Sequence, residues 1–287
     1  MQSHAIGKFR KKWLGLGGFL ILALLIAVGI TYRGENEDGV WEGPPGLILW
    51  NTVTAAEMPN SPELLARGRV LYEVHCASCH GTNGDGQGPS SLFLDTPPRD
   101  FTKAVYKFRS SRQEGMPTDL DLFRTITTGL PAYGMPSFRY LSEKDRWALV
   151  HRVKSFFPNW DRFGKPEVLP IATEPPERTD SLARGKQLYE TKYKCSDCHG
   201  LTGQGDGPRA RELKDQWEQP ISPRDFTLGP AFLKMGWHRK DTVRMLVAGI
   251  PGTPMPSQID QLANPSDLSE FWDIARYVEY LRANAEE

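Results

Sequence analysis

Cys76-Ala77-Ser78-Cys79-His80 and Cys195-Ser196-Asp197-Cys198-His199 are two copies of the pattern CxxCH, and between them they hold all four cysteines of the 287-residue chain. Two thiols three residues apart can form thioethers to the two vinyl groups of one haem while the adjacent imidazole turns under the iron. Each motif therefore offers two covalent anchors and one axial ligand, the signature of c-type haem attachment. The expected cofactors are two covalently bound haem c groups, anchored by Cys76, Cys79, Cys195 and Cys198, with His80 and His199 on the irons. The competing readings of four cysteines are a structural zinc site, a pair of redox CxxC disulfides, and two ordinary bridges. Zinc knuckles are typically separated by about 15 to 20 residues, whereas more than a hundred intervene here. A thioredoxin-like motif sits beside a βαβ pattern, and no β-branched strands alternating with helices flank either motif.

The chain is an internal repeat. LARGRVLYEVHCASCHGTNGDGQGP, beginning at Leu65, lines up with LARGKQLYETKYKCSDCHGLTGQGDGP, beginning at Leu182, once two extra residues are allowed before the second motif. Pro98-Arg99-Asp100-Phe101-Thr102 recurs as Pro223-Arg224-Asp225-Phe226-Thr227, and GLPAYGMPS from Gly129 recurs as GIPGTPMPS from Gly249. Similar order at similar spacing predicts two homologous domains. Each opens on a helical pattern, Leu65 to Val74 and Leu182 to Tyr189. Each closes on another, where Trp147, Val150, Val153 and Phe156, and likewise Trp272, Ala275, Val278 and Leu281, recur in steps of three. Shorter helices are predicted around Asp119 to Thr127 and Lys240 to Ala248, with Gly- and Pro-rich loops between. The pattern is all-α.

The length allows about two domains, each of roughly 100 residues and with a modest core of its own, to which an apolar haem adds much of the packing. Basic and acidic residues balance at 35 each, so nothing points to nucleic acid or a strongly acidic substrate. The start is uneven. Lys8, Arg10, Lys11 and Lys12 precede Trp13 to Tyr32, a stretch without charge that spans about 30 Å as a helix, enough to cross a bilayer. A cleaved signal peptide has the same outline, but the apolar run exceeds a typical h-region and contains no clear A-x-A site. The expectation is an uncleaved single-pass anchor in the cytoplasmic membrane, amino terminus inside by the positive-inside rule, with the rest of the chain on the periplasmic side. The predicted division is residues 1–33 for the cytoplasmic stub and anchor, 34–62 for a Pro-rich connector, 63–157 for the first domain, 158–180 for a Pro-rich linker, and 181–287 for the second domain. Such linkers act as semi-rigid spacers. Leu47-Ile48-Leu49-Trp50 is apolar for a free connector and reads either as packing on the first domain or as docking on a membrane partner.

With CxxCH near the front, a Met-Pro some fifty residues later and a closing amphipathic helix, each half resembles a class I cytochrome c domain, and residues 63 to 285 together resemble a membrane-anchored dihaem cytochrome c. The fold this implies is all-α, two tandem class I cytochrome c domains preceded by one N-terminal transmembrane helix. The resemblance implies that Met135 and Met255, 55 and 56 residues beyond their histidines, supply the sixth iron ligands, a pairing that raises the haem potential. Core filling is the alternative for any methionine. Met116 and Met235, each 36 residues past its histidine, are the runner-up ligands, and His151 and His238 read as packing or surface residues. The resemblance further implies that a carbonyl at Gly88-Pro89 and at Gly207-Pro208 accepts the second ring proton of the axial histidine, and that Arg99 and Arg224 clamp haem propionates or simply lie in solvent. Gly68 and Gly185 stand where the last helix crosses the first, or are plain helix starts.

The expected function is electron transfer between a membrane redox complex and a periplasmic carrier such as another cytochrome, as a subunit of a respiratory or photosynthetic complex, with no substrate chemistry of its own. A dihaem enzyme such as a peroxidase or thiosulfate dehydrogenase is the alternative. It needs an exchangeable iron position or a cysteine ligand, whereas every cysteine here is committed to a thioether. A haem sensor or purely structural haem module is a third reading, and no kinase or DNA-binding segment follows the second domain.

Overall fold

The computed structural model describes residues 50–169, 171–228 and 236–284, which belong to one compact unit, Ile48–Glu287. The predicted stub and span, residues 34–49 of the predicted connector, and Met235 lie outside the described residues. No helix among the described residues is long and apolar enough to cross a membrane. The helices are α1 (Pro62–His75), α2 (Ala77–His80), α3 (Asp119–Thr128), α4 (Glu143–Ser155), α5 (Ser181–Gln187), α6 (Ser196–His199), α7 (Arg239–Ala248) and α8 (Ser269–Ala283). Among the described residues there are isolated β-bridges but no strand. Two apolar cores form, one from Val53 to Trp160 and one from Leu169 to Leu281, so the chain packs as two lobes with the same helix order.

In each lobe the first helix crosses the last: α1 packs on α4 and α5 on α8. Glycine makes the crossing close. A Cβ on Gly68 would collide with the Ala148 carbonyl, and one on Gly185 with the Asp273 carbonyl. Both obstacles are backbone, which cannot swing aside. The helix ends follow local chemistry. Ser61 caps α1 by accepting from the Leu64 N–H, with Pro62 at the first position, and a reciprocal Thr118/Asp121 box starts α3. The two extra residues of the second half are absorbed as a π-helical turn, Leu188–Lys192, at the end of α5. As a result the Cys195 N–H reaches back six residues to the Tyr189 carbonyl at 2.7 Å, where the Cys76 N–H reaches back four to Tyr72 at 2.8 Å. The tyrosine is thereby kept in the same place relative to its motif.

The segments entering each lobe are part of its packing. Trp50 is 2% exposed; its indole N–H donates to Thr125 Oγ1 at 3.0 Å, Arg124 lies over its ring, and Arg124 Nε donates to the Val53 carbonyl. For Trp50 this is the reading of packing on the first lobe. Further along, Nε2 of buried His151 in α4 bonds the Met58 carbonyl at 2.8 Å. At the equivalent place in the second lobe, Arg276 of α8 donates to the Pro175 carbonyl at 2.7 Å and to Glu174. Between the lobes, Trp160 enters the first core, Leu169 the second, and the Leu169 N–H donates to the Ser110 carbonyl.

The helix crossing yields a direct expectation. Gly185→Ala in the haem-loaded protein costs about 1–3 kcal/mol by overpacking, read by chemical denaturation. Gly115→Ala, whose added methyl meets nothing closer than 3.8 Å, stays within about 0.5 kcal/mol. Equal stability of the two variants would contradict the tight crossing.

Candidate functional site

In both lobes CxxCH forms a single helical turn. The Cys79 and His80 N–H groups donate to the Cys76 carbonyl at 3.1 and 2.8 Å, and those of Cys198 and His199 to the Cys195 carbonyl at 3.2 and 2.8 Å. This turn carries the two sulfurs and the imidazole together. None of the four cysteines is in a disulfide, and among the described residues no three His, Cys, Asp or Glu side chains converge on a common point that could hold a metal ion. The two CxxC pairs belong to different lobes, which removes the four-cysteine zinc site as a reading. Burial pushes the Cys76 and Cys195 thiols up to about 12; their surroundings suit an uncharged sulfur.

Glycines then fold the chain back beneath the histidine. Gly81 and Gly200 end the turns at φ values of 75° each, in the left-handed region, and their carbonyls accept from the buried Tyr72 and Tyr189 hydroxyls at 2.7 and 2.8 Å. The Gly86 N–H donates to the His80 carbonyl and the Phe101 N–H to the Gly84 carbonyl; Gly205 with His199, and Phe226 with Gly203, repeat the pair. The repeated PRDFT segment is thereby laid along the imidazole. Nδ1 of His80 lies 3.0 Å from the Arg99 carbonyl and Nδ1 of His199 lies 3.1 Å from the Arg224 carbonyl. Phe101 and Phe226 stack on the two imidazoles, each with ring centroids 4.5 Å apart. Asp100 and Asp225 accept from the backbone N–H and hydroxyl of Thr102 and Thr227, which fixes the turn.

A carbonyl only accepts, so the proton sits on Nδ1 and the Nε2 lone pair is left for a metal. Desolvation by burial lowers the pKa of both histidines and favours this neutral form. The expected acceptors at Gly88-Pro89 and Gly207-Pro208 are corrected here. The Gly88 and Gly207 N–H groups donate back to the Cys79 and Cys198 carbonyls at 3.1 Å each, and both glycines press on the backbone of the haem-motif turn, at Ala77–Ser78 and Ser196–Asp197. Gly88 and Gly207 therefore lie against the turn, and the Arg99 and Arg224 carbonyls take the ring proton.

Met255 shares a cavity with the second motif. With Cys195, Cys198 and His199 it lines a space of about 1240 Å³ whose walls include Phe226, Leu246, Ile274 and Val278. The cavity is shared with the first lobe through Lys107, Phe108 and Tyr133 and carries charged residues beside its apolar wall; with two thiols, an oriented imidazole and a thioether it fits a covalently held haem. Its loop closes through Ile250 N–H to the Met255 carbonyl at 2.9 Å, as the first lobe's closes through Leu130 N–H to the Met135 carbonyl at 2.8 Å. Met116 is instead buried in the first core, His151 is engaged by Met58, and His238 caps α7. The Arg99 and Arg224 side chains line the cavity and lie over aromatic rings of the opposite lobe, Arg99 5.3 Å from Trp217 and Arg224 4.7 Å from Tyr133. The roles of Phe101, Phe226, Tyr72 and Tyr189 were not read from the sequence; their recurrence in both halves was the signal available.

Residues 63–151 match the family model for subunit III of cbb3-type cytochrome c oxidase, and residues 182–282 the model for cytochrome c. Photosystem II extrinsic protein V of Cyanidium caldarium is 33% identical over 103 residues, 32% of this chain and 63% of that protein. The cbb3-type cytochrome c oxidase subunit CcoP of Azospirillum sp. (strain B510) is 28% identical over 204 residues, 65% of this chain and 61% of that one. The chain thus spans a little over three-fifths of the length of these relatives. A solved chain of the Kuenenia stuttgartiensis reducing HAO-like protein complex Kustc0457/Kustc0458 superposes with a TM-score of 0.71 at 33% identity, covering 80% of this chain and 99% of that one. With two CxxCH turns, two histidines oriented alike and two cytochrome c domains in tandem, the chain belongs to the dihaem c-type cytochromes and carries two covalently bound haem c groups.

Proposed function

We propose that the chain is an electron-transfer subunit, passing electrons between a redox enzyme complex and a small redox carrier such as another cytochrome. The observation that carries this reading is the sameness of the two sites: each histidine is held by an arginine carbonyl and a stacked phenylalanine, and each lobe offers a methionine in a loop closed by the same backbone bond. In this reading Cys76, Cys79, Cys195 and Cys198 form the thioethers, His80 and His199 give Nε2 to the irons, and Met135 and Met255 give their thioethers as sixth ligands. Both iron positions are then filled from the protein, which leaves no open coordination site for a substrate. The haems supply reversible one-electron chemistry at iron, and His/Met ligation places it at raised potential. Arg99 and Arg224, desolvated by burial so that their pKa values are lowered, stand beside the haem chamber to pair with propionates.

The partner is proposed from the relatives. CcoP is named as an oxidase subunit and the Kuenenia chain is part of a two-component complex, which supports a place inside a larger redox assembly. The anchor at Trp13 to Tyr32 would hold it at the cytoplasmic membrane with both lobes on the periplasmic side.

A potentiometric titration followed by optical and paramagnetic resonance spectra tests the assignment. Two low-spin His/Met haems without peroxide or thiosulfate turnover are expected, while a high-spin haem with turnover would turn the reading to the enzyme. Met135→Ala and Met255→Ala should each keep the haem attached, lower that site's potential and remove its sulfur-to-iron absorption band. For the anchor, the full chain should sediment with membranes and a chain beginning at Ile48 should not; equal partitioning would defeat the span.

A further inference from the structure

The Met255 loop does not stand on its own lobe alone. It opens at Gly249, which ends α7 at φ 65°, turns at Gly252, φ 75°, and closes at Ser257. The first lobe reaches all three places. The Ser257 N–H donates to Oε1 of Gln113 at 3.3 Å. The same amide oxygen lies 2.8 Å from where a Cβ on Gly249 would stand, and Cγ1 of Val105 lies 3.0 Å from where one on Gly252 would stand. In the other direction, Arg224 of the second lobe lies over Tyr133, two residues before Met135. Arg224 is also the residue whose carbonyl orients His199.

We propose that the contact between the lobes is a positioning device for the sixth ligands: Gln113 holds the Met255 loop closed at the second haem, and Arg224 holds the Met135 loop at the first. This rests on the reading of Met135 and Met255 as iron ligands. A loop that supplies a ligand opens when the iron releases it, and every contact made only in the closed loop shifts that balance toward ligation. Each iron's grip on its methionine then depends on a side chain of the neighbouring lobe, and the two haem sites are linked although they share no ligand. Gln113 and Arg224 are positioning residues, since in this role they act through the loops.

The test uses the full-length, haem-loaded protein and imidazole as the competing ligand, with each haem's signal assigned from the Met135→Ala and Met255→Ala spectra. Gln113→Ala should raise the imidazole affinity of the second haem about fivefold, the usual worth of one hydrogen bond, and lower that haem's potential while the first stays as it was. Gln113→Glu, which keeps an oxygen acceptor for the Ser257 N–H, should restore both values. Arg224→Leu should raise the imidazole affinity of the first haem, in the opposite lobe. If the wild-type protein shows its sulfur-to-iron bands and Gln113→Ala leaves the second haem's affinity and potential unmoved, the lobe contact does not position the loop. If the wild-type protein lacks those bands, the ligand assignment itself fails, and this inference falls with it.

Discussion

A buried imidazole that must face a metal can be held only if its other nitrogen is satisfied, and this constraint organises both lobes. The ring needs one acceptor at Nδ1, since an unpartnered buried donor costs on the order of 1–3 kcal/mol, and that acceptor must lie in the ring plane, away from the iron. A backbone carbonyl is well suited because it has no rotamers and no charge. Bringing the Arg99 carbonyl to His80 requires the chain to leave the haem motif through left-handed glycines, return, and lie across the ring, and that path also sets Phe101 face to face with the imidazole. The second lobe repeats the path with Arg224 and Phe226. Gly81, Gly86, Tyr72 and the capping Asp100 follow from this one requirement.

Each lobe's core also takes in chain from the flanking segments, Val53 and Trp160 in the first lobe and Leu169 in the second. The described parts of the two proline-rich stretches are held by side chains of the closing helices. His151 of α4 and Arg276 of α8 occupy equivalent positions and bind the carbonyls of Met58 and Pro175, which are themselves equivalent. The second lobe adds charge to the same clasp: Asp273, 1% exposed, receives Arg178, Arg184 and Arg276. Breaking one partner of such a buried group is costlier than the pair is worth, so the linker is committed to its place once α8 has formed.

Periodicity and motif spacing made much of this architecture legible. The helices at Asp119–Thr128 and Arg239–Ala248 fall within a residue or so of their predicted limits, because apolar spacing and flanking glycine mark them locally. The CxxCH turns were legible because covalent chemistry demands one spacing. The acceptor for the histidines was not, since it is a backbone atom 19 residues away in the first lobe and 25 in the second and carries no side-chain signature; a Gly-Pro carbonyl and an arginine carbonyl look alike in a sequence. Arg99 and Arg224 were singled out for their guanidinium groups, yet the observed bond to the histidine is made by the peptide. The contact of Gln113 with Ser257 lies across the lobe boundary, where neither half's pattern predicts it.

Comparing the two halves separates what the haem site imposes from what the chain is free to choose. Positions that touch the imidazole or its supporting turn keep the same residue, Arg, Asp and Phe of the clamp and the tyrosine bonded to the turn, and so do the glycines where the first and last helices cross. Positions that only hold a neighbouring segment change identity while keeping their task, as His151 and Arg276 do, or the four-residue reach of Cys76 against the π-helical six-residue reach of Cys195. The methionine loops fall between these classes. Their backbone closure is shared, but their outer contacts differ, an amide and a valine at Met255 and a guanidinium over a tyrosine at Met135. With Met135 and Met255 as the sixth ligands, as proposed, two sites with the same inner ligands and different outer supports would have the means to hold different potentials, the support bearing on how firmly each loop is closed.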